Sequence, residues 1–206
     1  MDHDIPQSDQ APAQEAGGFA RRWLARMKPD TTSSDPRTLG KWGGLIAGPH
    51  LFMAAGLGLY WSGTPDHFDV RNNAAVYAAA TEQSVVTGAT TVSALQETMR
   101  TLLEKPGGYL HNDLFPPGVW LDNMPHWEYG VLVQSRDLAR ALREVLSRSQ
   151  SQSKEDVDLT LAEPRINFQS NSWILPASES EYRDALRFLE AYRARLAVTG
   201  ENSAQF

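Results

Sequence analysis

Histidines and carboxylates are concentrated in one run of the chain, KPGGYLHNDLFPPGVWLDNMPHWEYG. These side chains are types that bind zinc or carry out acid–base catalysis. The candidate metal ligands are His111, Asp113, Asp122, His126 and Glu128. Each histidine stands two residues before a carboxylate, and residues two apart point in different directions on a helix. A metal site therefore requires loops to gather these five side chains.

Aromatic residues in the same run support two other interpretations. Glycines and a Pro-Pro pair permit tight turns, so the aromatic side chains could clamp two helices together, with His126 and Glu128 facing solvent. Alternatively, aromatic side chains form an exposed docking surface, because aromatics dominate the energetics of protein interfaces. The residues of that surface are Tyr109, Phe115, Trp120 and Trp127. The sequence leaves the metal, clamp and docking interpretations open.

The composition excludes several functional classes. The chain has 206 residues and a formal net charge of -6, and its Lys and Arg residues are dispersed, which disfavours nucleic-acid binding. The absence of cysteine excludes a disulfide framework, a thiolate metal site and a cysteine nucleophile. Neither a nucleophile elbow, a phosphate-binding loop nor a dinucleotide fingerprint is found. We therefore predict no cofactor, assign no catalytic residue and favour a non-enzyme.

The segment from Trp42 to Trp61 carries no formally charged side chain. Its length is about 20 residues, which is what a helix needs to cross a bilayer, and it has aromatic residues at both ends. We predict a transmembrane helix here. Gly44 and Gly48 form a pair of small residues suited to close packing of a second membrane helix. His50 is either a functional polar residue or an imidazole bonded to a carbonyl that Pro49 leaves free.

Basic residues are concentrated before this segment, which predicts the orientation of the chain. Six Lys or Arg residues lie between positions 21 and 41, whereas Arg71 is the single one between 62 and 99. The positive-inside rule then places the N-terminus in the cytoplasm. The predicted organisation is a disordered tail over 1–18, a basic juxtamembrane segment over 19–41, a membrane helix over 42–61 and a periplasmic helical domain over 62–206. The predicted location is the bacterial inner membrane.

Hydrophobic periodicity after the segment predicts an all-α fold. One helix begins near Thr90 and ends at KPGG, with an apolar stripe of Val92, Leu95, Met99, Leu102 and Leu103. A second runs from about Pro125 to Arg148, with Trp127, Val131, Leu138, Leu142 and Val145 as its stripe. A third begins at SESE, where Ser178 and Glu181 match a capping box. Its stripe is Tyr182, Leu186, Leu189, Tyr192 and Leu196.

Several long strings resemble one bacterial family. GLGLYWSGTPDHFDV, KPGGYLHNDLFPPGVWLDNMPHWEYGVLVQSRDLARALR, SRSQSQS and NSWILPASESEYRDALRFL are similar to the domain of unknown function 2333 family. The resemblance implies an N-terminally anchored, mainly helical protein of Gram-negative bacteria, and it implies no activity. Family members continue beyond SAQF, so we expect a shortened form that exposes Leu142, Val145, Leu186 and Leu189 and self-associates.

The functional prediction combines the anchor with the aromatic run. We predict a binding or scaffolding component of the cell envelope whose partners are membrane lipid and either another envelope protein or a second copy of the chain. The alternative is an envelope hydrolase or a metal-dependent enzyme that uses the region from His111 to Glu128.

Overall fold

The fold is all-helical in the computed structural model, which describes residues 36–148, 154–200 and 203–206. The predicted tail over 1–18 and most of the predicted basic segment over 19–41 lie outside these ranges. Within them the chain forms six α-helices and no strand, so the all-α prediction is confirmed. The chain divides into two compact units, Met1–His50 and Leu51–Phe206.

The helices are numbered in chain order. They are α1 (Pro36–Trp61), α2 (Val70–Ala80), α3 (Ala89–Glu104), α4 (Asn123–Ala141), α5 (Val157–Ile166) and α6 (Ser178–Leu196). A short 3-10 helix, Gly118–Trp120, precedes α4, and a π-helical turn, Leu142–Leu146, continues it. Among these elements α6 packs on α3 and α5, α4 packs on α3 and α5, and α2 packs on α3.

Helix α1 covers the predicted membrane helix, but the transmembrane prediction over 42–61 is not confirmed. No helix in the described ranges combines the length and the apolar character that crossing a membrane requires. The sequence criterion was the absence of charge. Glycines, Pro49 and His50 nevertheless lower the mean hydropathy of this stretch without adding charge.

The small and polar residues singled out in α1 are Gly44, Gly48 and His50, and close packing of the two glycines on a second membrane helix stays a prediction. A Cβ added at Gly44 or Gly48 would meet nothing within 4 Å, so in the described residues neither glycine packs against another helix. The His50 ring does bond a backbone carbonyl, with Nδ1 lying 2.7 Å from the carbonyl oxygen of Ile46. The carbonyl that loses its helical donor at Pro49 belongs to Leu45, so the imidazole does not compensate for the proline.

The core of the second unit is formed by one face of each helix from α3 to α6. Its fully buried side chains include Leu132 on α4, Leu159 on α5, and Tyr182 and Tyr192 on α6. All five residues of the predicted α3 stripe are buried. The periodicity of this helix therefore predicted its buried face correctly.

The expectation that a shortened core leaves apolar stripes exposed is wrong for most of the residues named. Leu142 and Leu189 are fully buried and Leu186 packs partly buried against the core, whereas Val145 is exposed. The π-helical turn explains this difference, because the backbone N–H of Ser147 bonds the carbonyl of Leu142, five residues earlier, at 2.9 Å. The wider turn rotates Val145 away from the buried stripe.

Helix α5 was not predicted from the sequence. Pro164 lies within it and discourages a helical interpretation, but the proline falls in the last turn and interrupts little of the helix. The signal for its start is Asp156, whose carboxylate accepts the backbone N–H of Asp158 at 2.9 Å. Arg195 at the end of α6 also bonds the carboxylates of Asp156 and Asp158, which joins the two helices.

The capping box predicted at the start of α6 is absent. Ala177 occupies the N-cap position, and no side chain caps the helix there. The hydroxyl of Ser178 instead donates to the carbonyl of Gln169 at 2.6 Å and accepts the N–H of Ser172 at 3.1 Å. Ser178 is fully buried and holds the loop that precedes its own helix.

The contrast between Leu142 and Val145 predicts the effect of truncating each side chain. Leu142→Ala removes a fully buried side chain and should lower the free energy of unfolding by about 2–5 kcal/mol. Val145→Ala should change it by no more than about 0.5 kcal/mol, since Val145 is exposed. Denaturant unfolding of both variants measures the difference. Equal losses would show that the π-helical turn does not place Val145 in solvent.

Candidate functional site

An ion pair between Lys105 and Glu128 is buried at the centre of the candidate site. Lys105 follows the last residue of α3 and Glu128 lies on α4, and their side chains are 1% and 0% exposed. The Lys105 ammonium contacts the Glu128 carboxylate and also donates to the carbonyl of Gly108. We call these two residues the buried pair. Charges removed from water in this way are stable in a protein when they are paired and hydrogen-bonded.

Glu128 also binds the backbone of the loop that follows α3. Its carboxylate accepts the N–H of Leu110 at 2.9 Å and the N–H of His111 at 2.7 Å. Gly107 and Gly108 have φ angles of +86° and +70°, in the left-handed region that favours glycine, and they turn the chain toward these bonds. Burial raises the pKa of Glu128, and this effect is opposed by Lys105 and by the two backbone donors. A buried carboxylate therefore fixes the path of the loop.

A second set of contacts joins this loop to the loop before α6. The Asn112 side chain donates to the carbonyl of Ser172 at 2.8 Å and to the carboxylate of Glu179 at 2.9 Å. The Tyr109 hydroxyl donates to the carbonyl of Ser170 at 2.9 Å. Burial, followed by the neighbouring Tyr182, raises the pKa of Tyr109, so its hydroxyl stays protonated and acts as a donor. The two loops are thus held side by side.

The five candidate metal ligands are not gathered into one site. Glu128 belongs to the buried pair, and the His111 ring bonds the carbonyl of Pro125 at 3.1 Å and stacks on Tyr129. Asp122 and His126 pair with each other at 3.2 Å in solvent. Across residues 36–148, 154–200 and 203–206, no group of three or more His, Cys, Asp or Glu side chains is arranged to hold a metal ion. The metal alternative therefore has no geometric support.

Asp113, the remaining candidate ligand, lies against the backbone of Gly118. A Cβ at position 118 would overlap the Asp113 carboxylate, so only glycine fits at this close approach. Burial and the negative charge of Glu179 raise the pKa of Asp113, whereas Lys105 lowers it. Asp113 therefore takes part in packing the loop onto the 3-10 helix.

The four predicted docking aromatics divide into two pairs. Tyr109 is buried with its ring edge-on to Tyr182, and Trp127 is partly buried against the core. Phe115 and Trp120 are 66% and 57% exposed. Tyr109 therefore matches the clamp interpretation and Trp127 matches it only in part, whereas Phe115 and Trp120 have the exposure that a docking surface requires.

Residues near the start of α6 add further exposed apolar side chains beside Phe115. The rings of Phe115 and Trp173 lie 5.9 Å apart in an edge-to-face arrangement. We call the exposed side chains of these two loops the aromatic surface: Leu114, Phe115, Val119, Trp120, Trp173, Ile174 and Leu175. Of these seven residues only Phe115 and Trp120 were selected from the sequence. The signal for residues 173–175 was the uncharged run WILP, which follows a polar run and has no helical period.

The last turn of α1 lies beside this aromatic surface, within the unit Leu51–Phe206. A Cβ at Gly58 would lie 3.5 Å from the Pro117 side chain and 3.7 Å from that of Leu121. Gly107 lies against the ring of Trp61, so closely that a Cβ at position 107 would be only 2.8 Å away. The loop that carries Phe115 and Trp120 is therefore fixed against the end of α1.

Trp127 also lines a cleft of about 220 Å³. Asp66, His67, Thr98 and Thr101 contribute polar side chains to its wall. Trp127 thus packs partly buried against the core and also lines the cleft. This position explains why Trp127 matches neither a fully buried clamp nor an exposed docking residue.

These features define an all-α protein whose site is a loop fixed by a buried ion pair. The DUF2333 family model, described as an uncharacterized protein conserved in bacteria, matches residues 37–206, and the chain belongs to this family. The resemblance identified from the sequence is therefore confirmed. No curated protein and no solved structure matches the chain.

The buried pair predicts strong coupling between its two residues. Glu128→Gln leaves the Lys105 charge buried without a counter-ion, and Lys105→Met does the same to Glu128. Each should lower the free energy of unfolding by about 3–5 kcal/mol. The double variant should lose clearly less than the sum of the two, because it leaves neither charge unpaired.

Denaturant unfolding of the three variants and of the wild type measures this coupling. His126→Ala is the control and should change stability by about 0.5 kcal/mol or less, because His126 is exposed. Additive losses in the double variant would contradict a direct interaction between Lys105 and Glu128.

The division of the aromatic residues predicts unequal effects of removing two tryptophans. Trp127→Ala should cost about 3 kcal/mol, near the lower end for aromatic truncation, because Trp127 is partly buried. Trp120→Ala should cost about 0.5 kcal/mol or less, because its side chain lies mostly in solvent. Thermal melts of both variants provide the comparison. A larger loss for Trp120→Ala would place Trp120 in the core.

Proposed function

We propose that the protein is a membrane-associated binding or scaffolding component of the bacterial cell envelope, and that α1 contacts lipid. The observation that carries the proposal is the exposure of large apolar side chains along α1. Phe52 and Leu59 are 84% and 79% exposed. Leu45, Ile46, Leu51, Met53, Leu57 and Tyr60 are also exposed. Water-exposed apolar area is unfavourable by about 25 cal/mol per Å², so these side chains favour an apolar environment.

The distribution of these side chains around α1 favours lipid over a single protein partner. Leu51, Phe52 and Met53 are consecutive and all exposed. Successive residues on an α-helix are separated by about 100°, so these three span about 200°, slightly more than half of the helix circumference. A helix that packs on one partner has an apolar stripe on one side, whereas lipid can cover every side.

The location in the inner membrane also belongs to this proposal. Membership in a family conserved in bacteria supports the bacterial setting. The basic residues before α1 support contact with an anionic lipid surface. The orientation inferred from flanking charge, with residues 62–206 in the periplasm, stays a prediction. An enzyme activity is not part of the proposal, because the five candidate ligands are not gathered into one site in the described residues.

Membrane fractionation of the full chain expressed in bacteria tests the proposal. The wild-type chain should sediment with the membranes and resist extraction at high pH and high salt. A Phe52→Asp, Leu59→Asp double variant should move to the soluble fraction, since a charge in the hydrocarbon region costs about 2.5–3.5 kcal/mol per residue. Val157→Asp is the control and should stay with the membranes, because it adds a charge at an exposed apolar position on α5.

Recovery of the wild-type chain as a soluble protein would contradict the proposal. A reporter fused after Phe206 decides the orientation separately. A periplasm-active reporter should be active there, and activity of a cytoplasmic reporter alone would show that residues 62–206 face the cytoplasm.

A further inference from the structure

We infer that the aromatic surface is a second membrane contact, which lies at the lipid–water interface beside the end of α1. This inference rests on the proposed function, because it takes the lipid contact of α1 as given. The proposed function requires only that α1 itself contacts lipid. The inference adds that named loop side chains also contact lipid, at the depth of the headgroups.

The placement of the aromatic surface supports the inference. Pro117 and Leu121 pack against Gly58, one turn before the end of α1, and Gly107 lies against Trp61. Exposed apolar side chains of α1 continue to Leu59 and Tyr60, close to these contacts. A lipid surface that covers α1 as far as Tyr60 therefore reaches the loop that carries Phe115 and Trp120.

The chemistry of the surface also fits an interface between lipid and water. The stretch from Leu114 to Leu121 carries no charged side chain, and neither does the stretch from Trp173 to Pro176. Tryptophan is enriched at the headgroup level, because its ring is apolar and its N–H is polar. Lys and Arg are absent from both stretches, so the contact depends on apolar burial and should persist at high salt.

The surface is held in an exposed arrangement that carries a conformational cost. Leu175 is 91% exposed and has a φ angle of 50°, in a region that is unfavourable for a residue with a bulky side chain. The adjoining loop is fixed by Asn112 and by the hydroxyl of Ser178. The apolar side chains are therefore presented on a fixed backbone before any lipid is met, which reduces the ordering that binding requires.

Single-cysteine labelling provides the test, because the natural chain contains no cysteine. Full-length variants carry one cysteine at Phe115, Leu175, Phe52 or Val157 and an environment-sensitive fluorophore on it. Each is reconstituted with vesicles of zwitterionic lipid that contain a minority of anionic lipid, with and without nitroxide-labelled lipid. The labels at 115 and 175 should shift to shorter wavelength and be quenched by a nitroxide near the headgroup. The label at 157 should do neither, although Val157 is also an exposed apolar residue.

The label at position 52 distinguishes a failure of this inference from a failure of the proposed function. Quenching at 52 without quenching at 115 and 175 would overturn this inference and leave the proposed function intact. Absence of quenching at 52 by a nitroxide on the lipid acyl chains would overturn the proposed function itself. A wavelength shift at 115 and 175 without quenching by labelled lipid would show that a protein, such as a second copy of the chain, covers the surface, and it would also overturn the inference.

Discussion

The contact between Lys105 and Glu128 is the interaction on which the rest of the site depends. Two charges are removed from water here, and such a pair is tolerated only when hydrogen bonds complete it. The Lys105 ammonium donates a hydrogen bond to the Gly108 carbonyl. The Glu128 carboxylate accepts hydrogen bonds from the backbone N–H groups of Leu110 and His111. The bonds that make the charges tolerable therefore also set the course of the loop from α3 to the 3-10 helix. The exposure of Phe115 and Trp120 follows from that course.

Local sequence patterns predicted α3, α4, α6 and much of the core, but they did not predict α5 or this pair. The stripe of α3 follows from its period, and its end follows from KPGG. Glu128 looked like a metal ligand or a solvent-facing residue, because its spacing was compared with His126 nearby. Its actual partner is 23 positions away and belongs to the sequence that ends α3. A buried partner at that separation leaves no periodic signal.

Other differences have equally specific physical causes. An absence of charge suggested a membrane helix at 42–61, but glycine, proline and histidine lower the apolar character of α1 without adding charge. The exposed run at Trp173 has no helical period, so a search for amphipathic helices passes over it. The loop from Lys105 to Glu128 gathers no metal ligands and instead presents an apolar surface beside α1. That exposed surface, together with the exposed side chains of α1, is what supports the proposed binding role at a membrane.

Amide hydrogen exchange at Leu110 and His111 tests the central claim most directly. Both residues lie in a loop, where backbone N–H groups commonly exchange fast. If Glu128 accepts their hydrogen bonds inside a closed ion pair, both amides should exchange at rates close to those of the buried helices α3 and α4. In Lys105→Met their protection should fall by more than that of α6, whose core amides report the loss of global stability. Rapid exchange of both amides in the wild-type chain would show that the buried pair does not hold the loop and would contradict the account.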